Sequence, residues 1–101
     1  MNTLQEKTGN EPFSPHHPMK LTNFYCPAPS AKNVLLTGDF TNWQPLPMET
    51  RDAGWWFIQV WMPHGHHQYR FLVDGEPTLD LSAAGTTRDD HGVPVSVIAV
   101  S

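Results

Sequence analysis

Asn33-Val34-Leu35-Leu36-Thr37-Gly38-Asp39-Phe40-Thr41-Asn42-Trp43 begins as a strand and ends as a turn. Val34 to Thr37 are apolar or β-branched, the texture of a buried strand. Gly38 and Asp39 stop it, because glycine tolerates backbone angles other residues avoid and aspartate favours turns. Trp43 then precedes Gln44-Pro45-Leu46-Pro47. An indole on a proline-stiffened loop is poorly placed for a core. Held near solvent, it is a platform for something flat and weakly apolar, such as the face of a sugar ring. It can equally fold back as a lid on a small core, and these residues alone leave both readings open.

The remaining segments predict more strands. Met19, Leu21, Asn23 and Tyr25 share one face of a short strand, with Leu21 and Tyr25 as its expected anchors. Pro27-Ala28-Pro29-Ser30 is a stiff loop and Arg51-Asp52-Ala53-Gly54 a turn. Trp55 to Met62 is a strong strand, Pro63-His64-Gly65-His66 a hairpin turn, and His67 to Asp74 its return strand. Asp74-Gly75 signals another turn, residues 77–92 are irregular, and Val93 to Val100 closes as a β-branched strand. No segment has helical periodicity. Short strands separated by Gly/Pro turns predict an all-β sandwich over residues 18–101. The polar residues 1–17, with Pro12, Pro15 and His16-His17, read as a mobile tail.

If Met62 faces His67 in a hairpin, Val60–Tyr69, Ile58–Phe71 and Trp56–Val73 line the core face. The opposite face then holds Trp61–Gln68, Gln59–Arg70, Phe57–Leu72 and Trp55–Asp74. A solvated face should not collect Trp55, Phe57, Trp61 and Leu72. Either the tail or a neighbouring strand covers these four, or they form an interface for a protein partner or a second copy, or a ligand surface; packing or self-association is favoured over a ligand role.

Composition narrows the function. A chain of 101 residues is one domain, and 39% hydrophobic against 16% charged residues marks it as globular. Six Lys and Arg with a net charge of −4 leave no basic stripe, which argues against nucleic acid. The single Cys26 has no internal disulfide partner, so a reducing compartment is expected. Residues 1–7 lack the apolar run of a signal peptide, and no run approaches the roughly 20 residues of a membrane span. The expected location is cytoplasmic, with no membrane partner. The initial Met and closing strand read as a free-standing chain, which would need a partner or self-association for avidity.

No catalytic or cofactor signature stands out. His64, His66 and His67 cluster at a turn, but no carboxylate or cysteine lies beside them in sequence, so a polar turn is favoured over a metal site. His16-His17 reads the same way. Asp89-Asp90-His91 reads as a solvated loop, with a sugar-binding role as the alternative. Asp39, Asp74, Asp80, Asp89 and Asp90 could supply a glycosidase pair, but Asp39 and Asp74 sit where turns favour aspartate and a small sandwich has no deep cleft. The chain is read as a non-enzyme with no cofactor and no metal.

Val34 to Trp43, Gly54-Trp55-Trp56, Met62-Pro63-His64-Gly65 and Gln68-Tyr69-Arg70-Phe71-Leu72-Val73-Asp74-Gly75 occur in an order and spacing that resembles carbohydrate-binding module family 48. That family includes the glycogen-binding domain of the AMP-activated protein kinase β subunit. It also includes the N-terminal early-set domains of isoamylases and branching enzymes. The resemblance covers about residues 19–100. It implies an immunoglobulin-like sandwich that binds α-1,4-linked glucans such as glycogen, starch and maltooligosaccharides without acting on them. It places Trp43 as the indole that stacks on glucose and Arg70 where a Lys donates to hydroxyls. Pro77 stands where a second Trp is usual, and Val95 near a usual Asn. Asn42 beside the indole is a further candidate contact. With the hairpin register above, Trp61 lies diagonal to Arg70 and is a candidate replacement platform. A glycogen- or starch-metabolising enzyme and a homodimer are the candidate protein partners. The alternative function is an interaction module on the same scaffold that has lost glycan binding.

Overall fold

The computed structural model describes residues 19–101. The expected tail over 1–17, with His16-His17, lies outside the described residues. Nine strands follow in order: β1 (Met19–Pro27), β2 (Val34–Gly38), β3 (Leu46–Pro47), β4 (Glu49–Thr50), β5 (Trp55–Pro63), β6 (Gly65–Val73), β7 (Glu76–Thr78), β8 (Gly85–Arg88) and β9 (Pro94–Val100). One 3-10 turn, Asp39–Thr41, follows β2. The larger sheet is ordered β3-β2-β6-β9-β8, with β7 also paired to β6; the smaller is β1-β5-β4. All these pairings are antiparallel. No helix among the described residues is long and apolar enough to cross a membrane.

The two sheets bury their inward alternations against each other. Phe24, Cys26, Trp56 and Met62 of the smaller sheet pack with Val34, Leu36, Tyr69, Phe71 and Val100 of the larger. Each buried Leu, Met or Phe contributes about 1.5–3 kcal/mol of apolar transfer. Phe24 meets Tyr69 edge-on at 5.0 Å and stacks with Phe40 at 5.8 Å, which ties the 3-10 turn to the core. Two polar side chains of this core have partners. Trp56 Nε1 donates to the Ala28 carbonyl, and the Tyr69 hydroxyl donates to Asp80 at 2.7 Å. Burial, and then the Asp80 contact, push the Tyr69 phenol far above its usual range. Burial first, and the Asp80 charge second, raise the Cys26 thiol to about 11, so it stays protonated.

The alternation expected for residues 55–74 is present, but the hairpin is not. Trp56, Met62, Tyr69 and Phe71 are all buried. Yet β5 pairs with β1 along its whole length, from Met19↔Pro63 to Pro27↔Trp55, and β6 pairs with β2, β7 and β9. The chain crosses between sheets at Pro63-His64-Gly65. Pro63 has no N–H for a ladder, and Gly65 takes φ +115, a conformation that suits glycine. The expected four-residue interface is therefore divided. Trp55, Phe57 and Trp61 lie on the outer side of the smaller sheet, while Leu72 pairs with Leu35 in the larger.

The expected face of β1 is also reversed. Phe24 and Cys26 are the buried residues, whereas Leu21 and Tyr25 are each 44% exposed. Register decides this. Phe24 and Cys26 sit opposite Ile58 and Trp56, so they share the inward alternation of β5.

Candidate functional site

The turn after β2 is built to hold Trp43 outward. Gly38 is extended, and its need is for space: a Cβ there would lie 2.5 Å from Phe40 Cε1 and 2.8 Å from the Gln68 carbonyl oxygen. The Trp43 N–H donates to the Gly38 carbonyl at 2.8 Å, closing the loop. The Thr41 hydroxyl lies 2.9 Å from both the Gly38 and the Gln44 carbonyl oxygens. Asp39 fastens the loop to β6: Oδ2 accepts the Gln68 N–H at 3.0 Å and Oδ1 meets His67 Nδ1 at 3.0 Å.

Asn42 and Trp43 both have left-handed backbones, φ 55 and φ 61. Asparagine tolerates that region; a tryptophan there costs on the order of 1–2 kcal/mol. The loop hydrogen bonds hold this conformation and leave the indole 36% exposed.

Arg70 reaches the same place from β6. Its neighbours Tyr69 and Phe71 point into the core, so Arg70 points outward, opposite Thr37 of β2. Its Cζ stands 5.1 Å from the centre of the Trp43 ring, a cation–π contact. Its Nη1 donates to Asp89 Oδ2 at 3.1 Å. Asp89 closes the β8–β9 turn: Oδ1 accepts the N–H groups of His91 and Val93, each at 2.9 Å. The Val93 N–H, then the His91 N–H and Arg70, hold the Asp89 carboxyl below its usual range against a smaller opposing effect of desolvation. Trp43, Gln68, Arg70, Asp89, Asp90 and His91 line a pocket of about 380 Å³. It offers one flat apolar ring beside a fixed guanidinium and two carboxylates. That set suits a neutral ligand with an apolar face and vicinal hydroxyls.

Of the residues expected from sequence, Trp43 and Arg70 come together, with Asn42 as the exposed left-handed residue beside the indole. Trp61 does not join them: it pairs with Leu21 in the smaller sheet, so it shares no face with Arg70. Pro77 is exposed opposite Leu72, and no second indole stands there. Val95 is fully buried on the Arg70 side of β9, one residue beyond the Ser96↔Tyr69 pair. Thr37 Oγ1, on the same face, is buried without a hydrogen-bond partner.

Sequence reasoning undervalued Asp89-Asp90-His91. The available signal was an aspartate three residues before Gly92, between two strands, which is a turn-closing pattern. Nothing in the pattern says that β8–β9 lies beside β6. The other carboxylates named as possible acids have structural partners. Asp74 Oδ1 accepts the N–H groups of Lys32 and Asn33, and Asp80 takes Tyr69 and Ser82. His67 is held between Asp39 and the Pro63 carbonyl, while His64 and His66 are exposed.

A second cavity of about 330 Å³ lies at the flank between the sheets, lined by Cys26, Trp55, Phe71, Leu79 and Leu81 among others. It is mainly apolar. Its Asp80 is already committed to Tyr69 and Ser82, so it lacks the polar set found around Trp43.

Comparison with known proteins agrees with the fold. The structure resembles pullulanase from Paenibacillus barengoltzii, both ligand-free and as a mutant complexed with maltotetraose. The TM-score is 0.52 at 24% identity in each case, over 77% of this chain and 13% of the pullulanase, a likeness of fold. In sequence, the pig 5'-AMP-activated protein kinase subunit beta-1 is 47% identical over 51 residues, and the rat and human proteins 45%. Each match takes in 50% of this chain, which covers 41% of the pig protein and 18% of the rat and human ones. Residues 26–101 match the model of the glycogen recognition site of AMP-activated protein kinase, and the chain belongs to that family.

Proposed function

We propose that this chain is a non-catalytic module that binds α-1,4-linked glucan at the Trp43 pocket. The indole stacks on the apolar face of a glucose ring. Arg70 donates to ring hydroxyls from a position set by Asp89. Asp90 and His91 contribute polar contacts at the rim. The observation that carries this reading is the convergence of Trp43, Arg70 and the 89–91 turn on one pocket. Membership in a glycogen-recognition family supports a polysaccharide ligand.

The single indole predicts weak binding. By analogy with stacking of bases on aromatic side chains, a lost platform costs about 1–3 kcal/mol, and Pro77 removes one here. The test is a maltoheptaose titration followed by tryptophan fluorescence, alongside retention on an amylose column. Trp43→Ala should weaken binding by at least about fivefold, at the lower end of what one stacked ring provides. Binding unchanged in a folded Trp43→Ala variant would sink this reading.

A further inference from the structure

We propose a second α-glucan site on the outer side of the smaller sheet, formed by Tyr25, Arg51, Asp52 and Trp55. It takes its ligand class from the reading of the Trp43 pocket. These four residues line a shallow pocket of about 360 Å³. Tyr25 is 44% and Trp55 46% exposed, more than Trp43. The register Tyr25↔Phe57 and Pro27↔Trp55 puts the two rings on one face as diagonal neighbours.

The frame beneath them is fixed. Tyr25 packs on Phe57 at 5.1 Å, and the Arg51 guanidinium lies 4.1 Å over the same Phe57 ring. The 51–55 turn is closed at both ends: the Arg51 N–H donates to Trp55 O at 2.8 Å, and the Trp55 N–H to Asp52 O at 2.9 Å. The Asp52 carboxylate makes no hydrogen bond among the described residues, so it is open to a ligand. Indole, guanidinium and carboxylate thus recur on this face in the combination seen around Trp43. The difference is a second aromatic platform, the element that Pro77 deletes on the other face.

The ligand class follows from that combination. Two rings with an apolar face and a polar edge suit sugar rings in sequence along a chain. A guanidinium and an uncommitted carboxylate beside them supply a donor and an acceptor for vicinal hydroxyls. Because the sites lie on opposite outer sides of the sandwich, one short glucan cannot occupy both. The chain would then bridge two glucan strands, and avidity on a branched particle would compensate for weak single sites.

The test uses the whole chain, isotope-labelled, with the indole N–H signals followed up to about 10 mM maltoheptaose, which saturates a millimolar site. The Trp43 and Trp55 signals should both shift, with separate midpoints. Trp56, buried and bonded to Ala28, should stay still. Tyr25→Ala and Arg51→Ala leave all four indoles in place. Each should weaken the Trp55 response by about tenfold, the effect of roughly one lost contact, and leave the Trp43 midpoint within about twofold. Wild-type chain should turn glycogen solutions turbid, and both Tyr25→Ala and Trp43→Ala should abolish turbidity. A still Trp55 signal beside a moving Trp43 signal overturns the second site alone. The second site is overturned equally if Trp55 responds only to protein concentration, which marks a contact between copies or with another protein. A moving Trp55 beside a still Trp43 overturns the Trp43 reading and upholds this one. If neither moves, both fall.

Discussion

The two outer faces of this sandwich expose aromatic rings in different ways. On the larger sheet, a single indole stands on a loop, held by a strained backbone and by a charged chain from Trp43 through Arg70 to Asp89. On the smaller sheet, Tyr25 and Trp55 are exposed on regular strands and need no backbone strain to face outward. The first arrangement fixes one ring and its polar partners accurately. The second presents more ring surface with fewer fixed polar groups. Strain at Trp43 is tolerated because the loop hydrogen bonds over-determine it.

The most disruptive change removes the floor under both faces. Phe71 is 1% exposed and central in the core. Phe71→Ala should cost about 3–5 kcal/mol by urea denaturation. Both faces should lose their ligand response together, because neither sheet is packed without the other. Retained binding on one face after this loss would break the view that one core supports both.

Gly38→Ala separates them. The new methyl group would collide with Phe40 and with the Gln68 backbone, an overpacking cost of about 1–3 kcal/mol. The strain falls on the loop that carries Trp43, so the Trp43 response should disappear while the Trp55 signal keeps its wild-type position. A shift of the Trp55 signal without ligand would show that the loop is coupled to the smaller sheet.

The strain itself is measurable. Trp43→Gly places a residue with no left-handed penalty at φ 61. It should be more stable than Trp43→Ala by about 1 kcal/mol in thermal unfolding, although both variants should bind more weakly at this face. Equal stability of the two would remove the claim that Trp43 is held under strain.

What the sequence made legible follows from what alternation encodes. Trp56, Met62, Tyr69 and Phe71 were identifiable as inward residues, because period two is the same whichever strand lies alongside. Lateral partnership is not in that period, so two nine-residue strands joined at His64 read as a hairpin when they are opposed layers. The same gap misplaced Leu21 and Tyr25: apolar residues occur on both alternations of β1, and the register with β5 chooses between them. Trp43 and Arg70 were legible because each lies in a local motif. Asp89 was not, since its contact with Arg70 spans 19 residues and depends on β9 lying between β6 and β8.

The smallest expected effect concerns Asp89 and acid. Its carboxyl is held below the ordinary value of 3.8, chiefly by the Val93 and His91 N–H groups and then by Arg70. A group lowered in the folded state contributes stability that is fully present above its unfolded value and is lost as pH falls through its folded value. Because the carboxyl stays ionised, glucan affinity at the Trp43 face should show no Asp89-dependent change between about pH 7 and pH 5, and should decline only as pH falls below the ordinary value of 3.8. Asp89→Asn removes the charge at every pH. It should weaken that face severalfold at neutral pH, through a less well-placed Arg70, and abolish the Asp89-dependent part of the acid decline. The Tyr25–Trp55 face, which has no contact with Asp89, should keep its neutral-pH affinity in the variant. Equal loss on both faces would mean that Asp89 acts through the whole fold and not through Arg70.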